Sequence, residues 1–153
     1  MTSLSPSRFV VGIDLGTTNT ALSFADTQCG EHPDVKDLGI SQLIHPSQVE
    51  NRSLLPSFMY LCVDGEFPSG ALDLPWAKGR EFVLGELARA QGLKVPTRQV
   101  VSAKSWLSHH GVDRRAAILP WKAPPGSRMV SPIEACSHYL AELVFAWNRE
   151  NPD

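Results

Sequence analysis

Residues 10–24, VVGIDLGTTNTALSF, limit what this chain can fold into more than any other stretch. Apolar residues run up to a bare carboxylate at Asp14. Gly16 follows, then the hydroxyls of Thr17, Thr18 and Thr20, and the chain turns apolar again at Leu22 and Phe24. This pattern predicts a β-hairpin, its first strand roughly Phe9 to Leu15 and its second roughly Thr18 to Ala25. In the second strand Ala21, Ser23 and Ala25 alternate with Thr20, Leu22 and Phe24, the period of two of a strand with one buried face. Gly16 supplies the backbone freedom for a tight reversal.

The tip of that hairpin carries unusual chemistry for a turn. Backbone N–H groups in a glycine-containing turn can converge on an anion, and Gly16 to Asn19 offer such groups with threonine hydroxyls beside them. A carboxylate next to a phosphate repels it unless a cation lies between, so Asp14 makes sense beside a magnesium-bound phosphate, directly or through water. The alternative is structural. An Asp before a turn accepts backbone hydrogen bonds, and Thr is common in strands. The stretch is not a Walker A loop, because GxxxxGK followed by Ser or Thr is absent, and no GxGxxG occurs.

Further along, residues 27–37 read as a polar loop and 38–44 as a third strand. Residues 45–54 read as a connection, and 55–65 as a β-rich run closed by Asp64-Gly65. Residues 66–80 have no clear period. A short helix is expected near Glu86 to Gln91, with Gly92 as its stop. Thr97 is a candidate N-cap for a second helix carrying Val100, Val101, Ala103, Lys104 and Leu107, ended by Gly111. Pro120, Pro124, Pro125 and Gly126 mark the best internal boundary. The clearest helix then starts at Ser131, with Pro132 at its first position and Glu134 completing a capping box. Its expected apolar face is Ile133, Cys136, Leu140, Leu143, Val144 and Trp147.

Composition excludes some functions. The net charge of -2 gives no electrostatic case for nucleic acid or an anionic membrane as partner. No apolar run is long enough to span a bilayer, and MTSLSPSRF does not read as a secretory signal. Cys29, Cys62 and Cys136 are odd in number and far apart, which suits reduced thiols in a cytoplasmic protein. His109-His110 at a helix end reads as carbonyl-facing imidazoles, Arg114-Arg115 as a solvated pair, and Trp76, Trp106, Trp121 and Trp147 as packing or subdomain contacts.

VVGIDLGTTNTALSF closely resembles the first phosphate motif of the actin-like ATPase superfamily, in particular of the DnaK-type seventy-kilodalton heat-shock chaperones. The resemblance continues in order through LLPSFMYL, VLGELARAQGLKVPTRQVVSAKSWLS and SPIEACSHYLAELVFAWNRE, and so covers most of residues 8–150. Residues 66–82 depart from it. The second phosphate motif (DxGGGT), the adenosine motif and the peptide-binding domain of that family would all lie beyond Asp153.

The resemblance implies an α/β fold: part of a ribonuclease-H-like lobe, with a small α/β insertion subdomain. Residues 1–45 would hold the lobe strands with the phosphate hairpin, 46–127 the insertion, and 128–153 a lobe helix. Asp14 matches the carboxylate that organises Mg²⁺ and its waters. Gly16, Thr17 and Thr18 match the turn on the β- and γ-phosphates of ATP or ADP, and Asn19 is compatible with it. Lys104 matches the lysine that stabilises charge during phosphoryl transfer. Nucleotide, co-chaperones and unfolded polypeptide would be partners of the full-length parent. The chain alone is expected to be an inactive N-terminal segment, self-associating through an unpaired sheet edge or the last helix. The alternatives are a short interaction module that keeps the fold, or a sugar or acetate kinase relative. The PS strand and the Lys104 segment argue against the kinases.

Overall fold

The computed structural model describes residues 7–152. Most of the N-terminal stretch read as non-secretory, and Asp153, lie outside that range. Three small antiparallel sheets and three α-helices make up a mixed α/β fold. Strands β1 (Phe9–Leu15) and β2 (Asn19–Asp26) form the hairpin the sequence predicts, in unbroken register from Phe9 opposite Asp26 to Leu15 opposite Thr20.

The third strand of this sheet is not the one expected. Lys36–Asp37 (β3) pairs with Ser23 and Phe24 of β2, inside the segment read as a loop. Ile40–His45 (β4) leaves the sheet and pairs instead with Gln48–Arg52 (β5), a strand where the sequence predicts a connection. The reason is competition for one edge. Beyond β3, that edge of β2 is taken by Leu55–Pro56 (β6), which pairs with Asn19 and Thr20. Strand β4 is buried on both faces from Ile40 to Ile44 and finds its hydrogen-bond partners in β5. Sequence alternation alone cannot report such an exchange of partners.

The third sheet joins β7 (Met59–Leu61) to β8 (Phe82–Leu84) on one side and β9 (Gln99–Val100) on the other. Helix α1 runs from Gly85 to Lys94, longer than expected, because Gly92 lies inside it rather than ending it. A Cβ on Gly92 would overlap the Gln99 side chain, at 1.9 Å. Its absence lets the Gln99 amide donate to the Ala88 carbonyl at 3.1 Å.

The helix expected from Thr97 does not form as one piece. Pro96–Arg98 is a single 3₁₀ turn, β9 follows, and α2 spans only Ala103–Leu107. Val100 is fully buried in the sheet and Ala103 is buried at the start of the helix. Ser102 turns the chain between them with φ of 52°.

Helix α3 (Pro132–Glu150) has the predicted capping box. Ser131 Oγ accepts from the Glu134 N–H at 3.0 Å, and the Glu134 carboxylate accepts from the Ser131 N–H at 3.4 Å. Its buried face is rotated from the predicted one. Ala135, Cys136, Tyr139, Leu143 and Ala146 are buried, while Ile133 and Val144 are exposed. Small and aromatic residues let α3 approach the sheets closely, so the buried stripe follows shape as well as hydropathy. One core gathers Met59, Leu61, Leu84, Val100 and Ala103 with Ala135, Cys136 and Tyr139. A second packs Leu22, Leu38, Ile40 and Leu55 under Leu143 and Ala146. Glu142, also buried, accepts from Trp76 Nε1 at 3.1 Å and from the Arg80 guanidinium, which fastens the irregular 66–80 segment to α3.

No helix among the described residues is long and apolar enough to cross a membrane. The three cysteines are free.

Candidate functional site

The hairpin tip is built from both sides of a long sequence separation. The Gly16 N–H donates to the Asn19 carbonyl at 3.0 Å, closing the reversal. A Cβ at Gly16 would lie 2.3 Å from that carbonyl oxygen, so only glycine permits this turn. Ser57, next to β6, then braces the loop from below. Its N–H donates to the Thr18 carbonyl at 2.8 Å and its hydroxyl to the Gly16 carbonyl at 2.9 Å. The same hydroxyl lies 3.0 Å from that of Thr20, which is fully buried.

These bonds sort the tip's polar groups. The Gly16 N–H is consumed by the turn itself and is not available to a ligand. Among the described residues, the N–H groups of Thr17 and Thr18 have no acceptor, and both threonines are exposed. Asp14, at the end of β1, is exposed and enters no ion pair among the described residues. A carboxylate so placed can meet a hydrated divalent cation. Asn19 is half-buried and borders an open groove of about 400 Å³, shared with Arg52, Leu54, Glu86 and Arg89.

Lys104 lies on α2 and is exposed. The structure ties it to the hairpin through their neighbours, because Leu15 packs against the core that contains Ala103. Asp14 and Lys104 are thus the charged residues next to two members of one core. No ion pair joins them. The Lys104 ammonium acts instead on Cys136, whose thiol is pushed up by burial and partly held down by that charge.

Ser57 escaped the sequence reading as a site residue. Its only signal was a hydroxyl following Pro56 at the start of an apolar run. Of the remaining sequence features, His109 Nδ1 accepts from the Gly111 N–H at 3.2 Å, and its ring lies 5.4 Å from that of Trp106. Trp106 in turn lies 4.6 Å from the ring of Trp121.

The fold and the hairpin together define a mixed α/β domain with an exposed, hydroxyl-rich tip braced by one serine. No protein-family model matches the chain, and no curated protein is significantly similar to it.

Proposed function

We propose that the hairpin tip binds the phosphates of a magnesium nucleotide, and that the chain is the N-terminal segment of a DnaK-like ATPase domain, inactive by itself. The observation that carries the reading is the state of Thr17 and Thr18. Each combines an N–H without an intramolecular acceptor with an exposed hydroxyl, on a turn that Ser57 holds rigid. Preorganised donors of this kind favour an anion because little order is lost when it binds. In this reading Asp14 would hold a hydrated Mg²⁺ against the anion, and Lys104 would meet the terminal phosphate as a point charge.

The antiparallel β1–β2–β3 sheet with α3 packed across it supports the finer fold assignment, part of a ribonuclease-H-like lobe. In that architecture residues 46–127 are the insertion beside the cleft, and adenine contacts come from a second lobe. Affinity of this chain for magnesium ADP is therefore on the order of millimolar, about 4 kcal/mol of binding free energy. ATP turnover by the chain is absent.

Calorimetry with magnesium pyrophosphate, ADP and ATP tests the reading. Asp14→Ala should remove the magnesium-dependent part of the heat, and Thr18→Ala should weaken all three ligands. Lys104→Ala should weaken ATP more than ADP. Equal heats from the wild type and Asp14→Ala would sink the proposal. The second reading, an interaction module, draws on the open outer edge of β1.

A further inference from the structure

The total charge of -2 hides an uneven distribution. Residues 103–128 hold five Lys and Arg against Asp113 alone, a net of +4, so the rest of the chain carries -6. Two arginines of this segment stand apart from all the others. Among the described residues, Arg114 and Arg115 are exposed and have neither a carboxylate nor an aromatic ring beside them. Every other arginine sits on a carboxylate or, for Arg149, over the Trp76 ring. Arg114 and Arg115 line one open groove of about 280 Å³ with Val112, Asp113 and Ile133. The Asp113 carboxylate accepts from the Arg115 backbone N–H at 2.9 Å and pairs with neither guanidinium.

Farther along, the same segment presents a row of rings. Trp121 is 57% exposed, its ring 4.6 Å from that of Trp106, and His109 continues the row 5.4 Å beyond. Lys122 beside Trp121 is exposed and has no carboxylate partner among the described residues. The backbone fixes the span between cations and rings. Leu119 and Val130 exchange hydrogen bonds of 3.0 and 2.8 Å, and the Arg114 carbonyl accepts from the Ile133 N–H at 3.3 Å. Residues 114–121 are thus held alongside 128–133 at two points. The seven steps from Arg114 to Trp121 reach at most ~24 Å, a stretch that a few nucleotides can cover.

We infer that residues 109–122 form a binding surface for single-stranded nucleic acid, with phosphates on Arg114, Arg115 and Lys122 and a base stacked on the free face of Trp121. Unpaired cations by themselves accept any polyanion. The exposed indole selects among polyanions, because every nucleobase has a flat π face to lay on it. An acidic peptide would satisfy the cations and leave the ring idle. A duplex keeps its bases stacked inside, where the ring cannot reach them. Guanidiniums suit phosphate oxygens, which they meet with two parallel N–H groups.

Fluorescence anisotropy on the whole chain with a labelled oligothymidylate of about 12 nucleotides, without magnesium or ATP, tests the inference. The wild type should bind, and its affinity should fall about 15-fold between about 50 and 200 mM salt, as three neutralised phosphates on a single strand require. Joint replacement Arg114→Glu and Arg115→Glu should weaken binding at least tenfold and flatten the salt dependence, with the circular dichroism spectrum intact because both positions are exposed. Trp121→Ala should weaken binding about tenfold and leave the salt dependence as it was, and Trp121→Phe should recover part of the loss. Three results overturn the inference. One is no binding at about 50 mM salt. Another is binding unchanged in the doubly substituted arginine variant, which would move the oligonucleotide to a different site such as the hairpin tip. The last is equally tight binding of polyglutamate or of phosphatidylglycerol vesicles with Trp121→Ala without effect, which would make the occupant an acidic protein or a membrane.

Discussion

The hydroxyl of Ser57 donates to the carbonyl of Gly16, bonding the start of the third sheet's segment to the tip of the first hairpin. With the partner hydroxyl of Thr20 buried beside it, this one serine holds the loop's geometry from a distant part of the chain. Ser57→Ala should therefore destabilise the fold by about 1–3 kcal/mol, because the buried Thr20 hydroxyl then keeps no hydrogen-bond partner among the described residues. Urea unfolding measures this. Ser57→Thr should recover part of the loss, and an unchanged midpoint for Ser57→Ala would show that the brace is idle.

Gly16→Ala tests the reversal itself. The added Cβ would sit 2.3 Å from the Asn19 carbonyl oxygen, a backbone atom that cannot step aside without reopening the turn. A loss of about 1–3 kcal/mol is expected, in the range of overpacking and local strain. Amide exchange should locate the damage at residues 15–20 and leave α3 unaffected.

Arg80 and Glu142 form a buried pair that Trp76 reinforces. Removing one member of such a pair leaves a charge without compensation, so Arg80→Ala should cost about 3–5 kcal/mol. Replacing both Arg80 and Glu142 with Met should cost much less than Arg80→Ala, because no buried charge remains. A double substitution as damaging as the single one would mean that the pair acts through packing alone. Trp76 emission should shift to the red in Arg80→Ala as its ring loses its fixed neighbour.

Ser102 sits in the left-handed region with φ of 52°, where an L side chain is strained. Ser102→Gly relieves that strain but gains entropy in the unfolded chain, so a net stabilisation of about 0.5–1 kcal/mol is expected. Ser102→Val should destabilise, because branching at Cβ makes the conformation worse. Thermal unfolding of the pair gives the sign of each effect.

His138 on α3 has its pKa lowered. Burial beside Phe82 is the main cause. The Glu134 and Glu142 carboxylates oppose the shift, and Arg80 and Arg128 add to it. A lowered folded value means that the unfolded state takes up a proton first as pH falls, so stability drops as pH passes below about 6.5. His138→Gln should flatten that part of the stability curve between neutral pH and pH ~5. An identical slope in the variant would assign the loss to carboxylates.

Local signals in the sequence were enough for β1, β2 and the start of α3. Alternation of period two, a glycine at the reversal and a serine three residues before a glutamate each act within one turn or one strand. Asp14, Gly16, Thr17 and Thr18 were legible as a group for the same reason, since four adjacent residues share one tip. Partner choice was not legible. The edge of β2 is divided between β3 and β6, and β4 pairs with β5, because distant segments compete for the same hydrogen-bonding groups. Ser57 became part of the tip, Gln99 took the space beside Gly92, and α3 buried Tyr139 and Ala146 in place of Ile133 and Val144. The sequence by itself determined where the chain bends and which groups stand at the first bend. Only the tertiary structure decided which of those groups stay free, because each hydrogen-bonding group of the turn is either taken by a neighbour from elsewhere or left for a ligand.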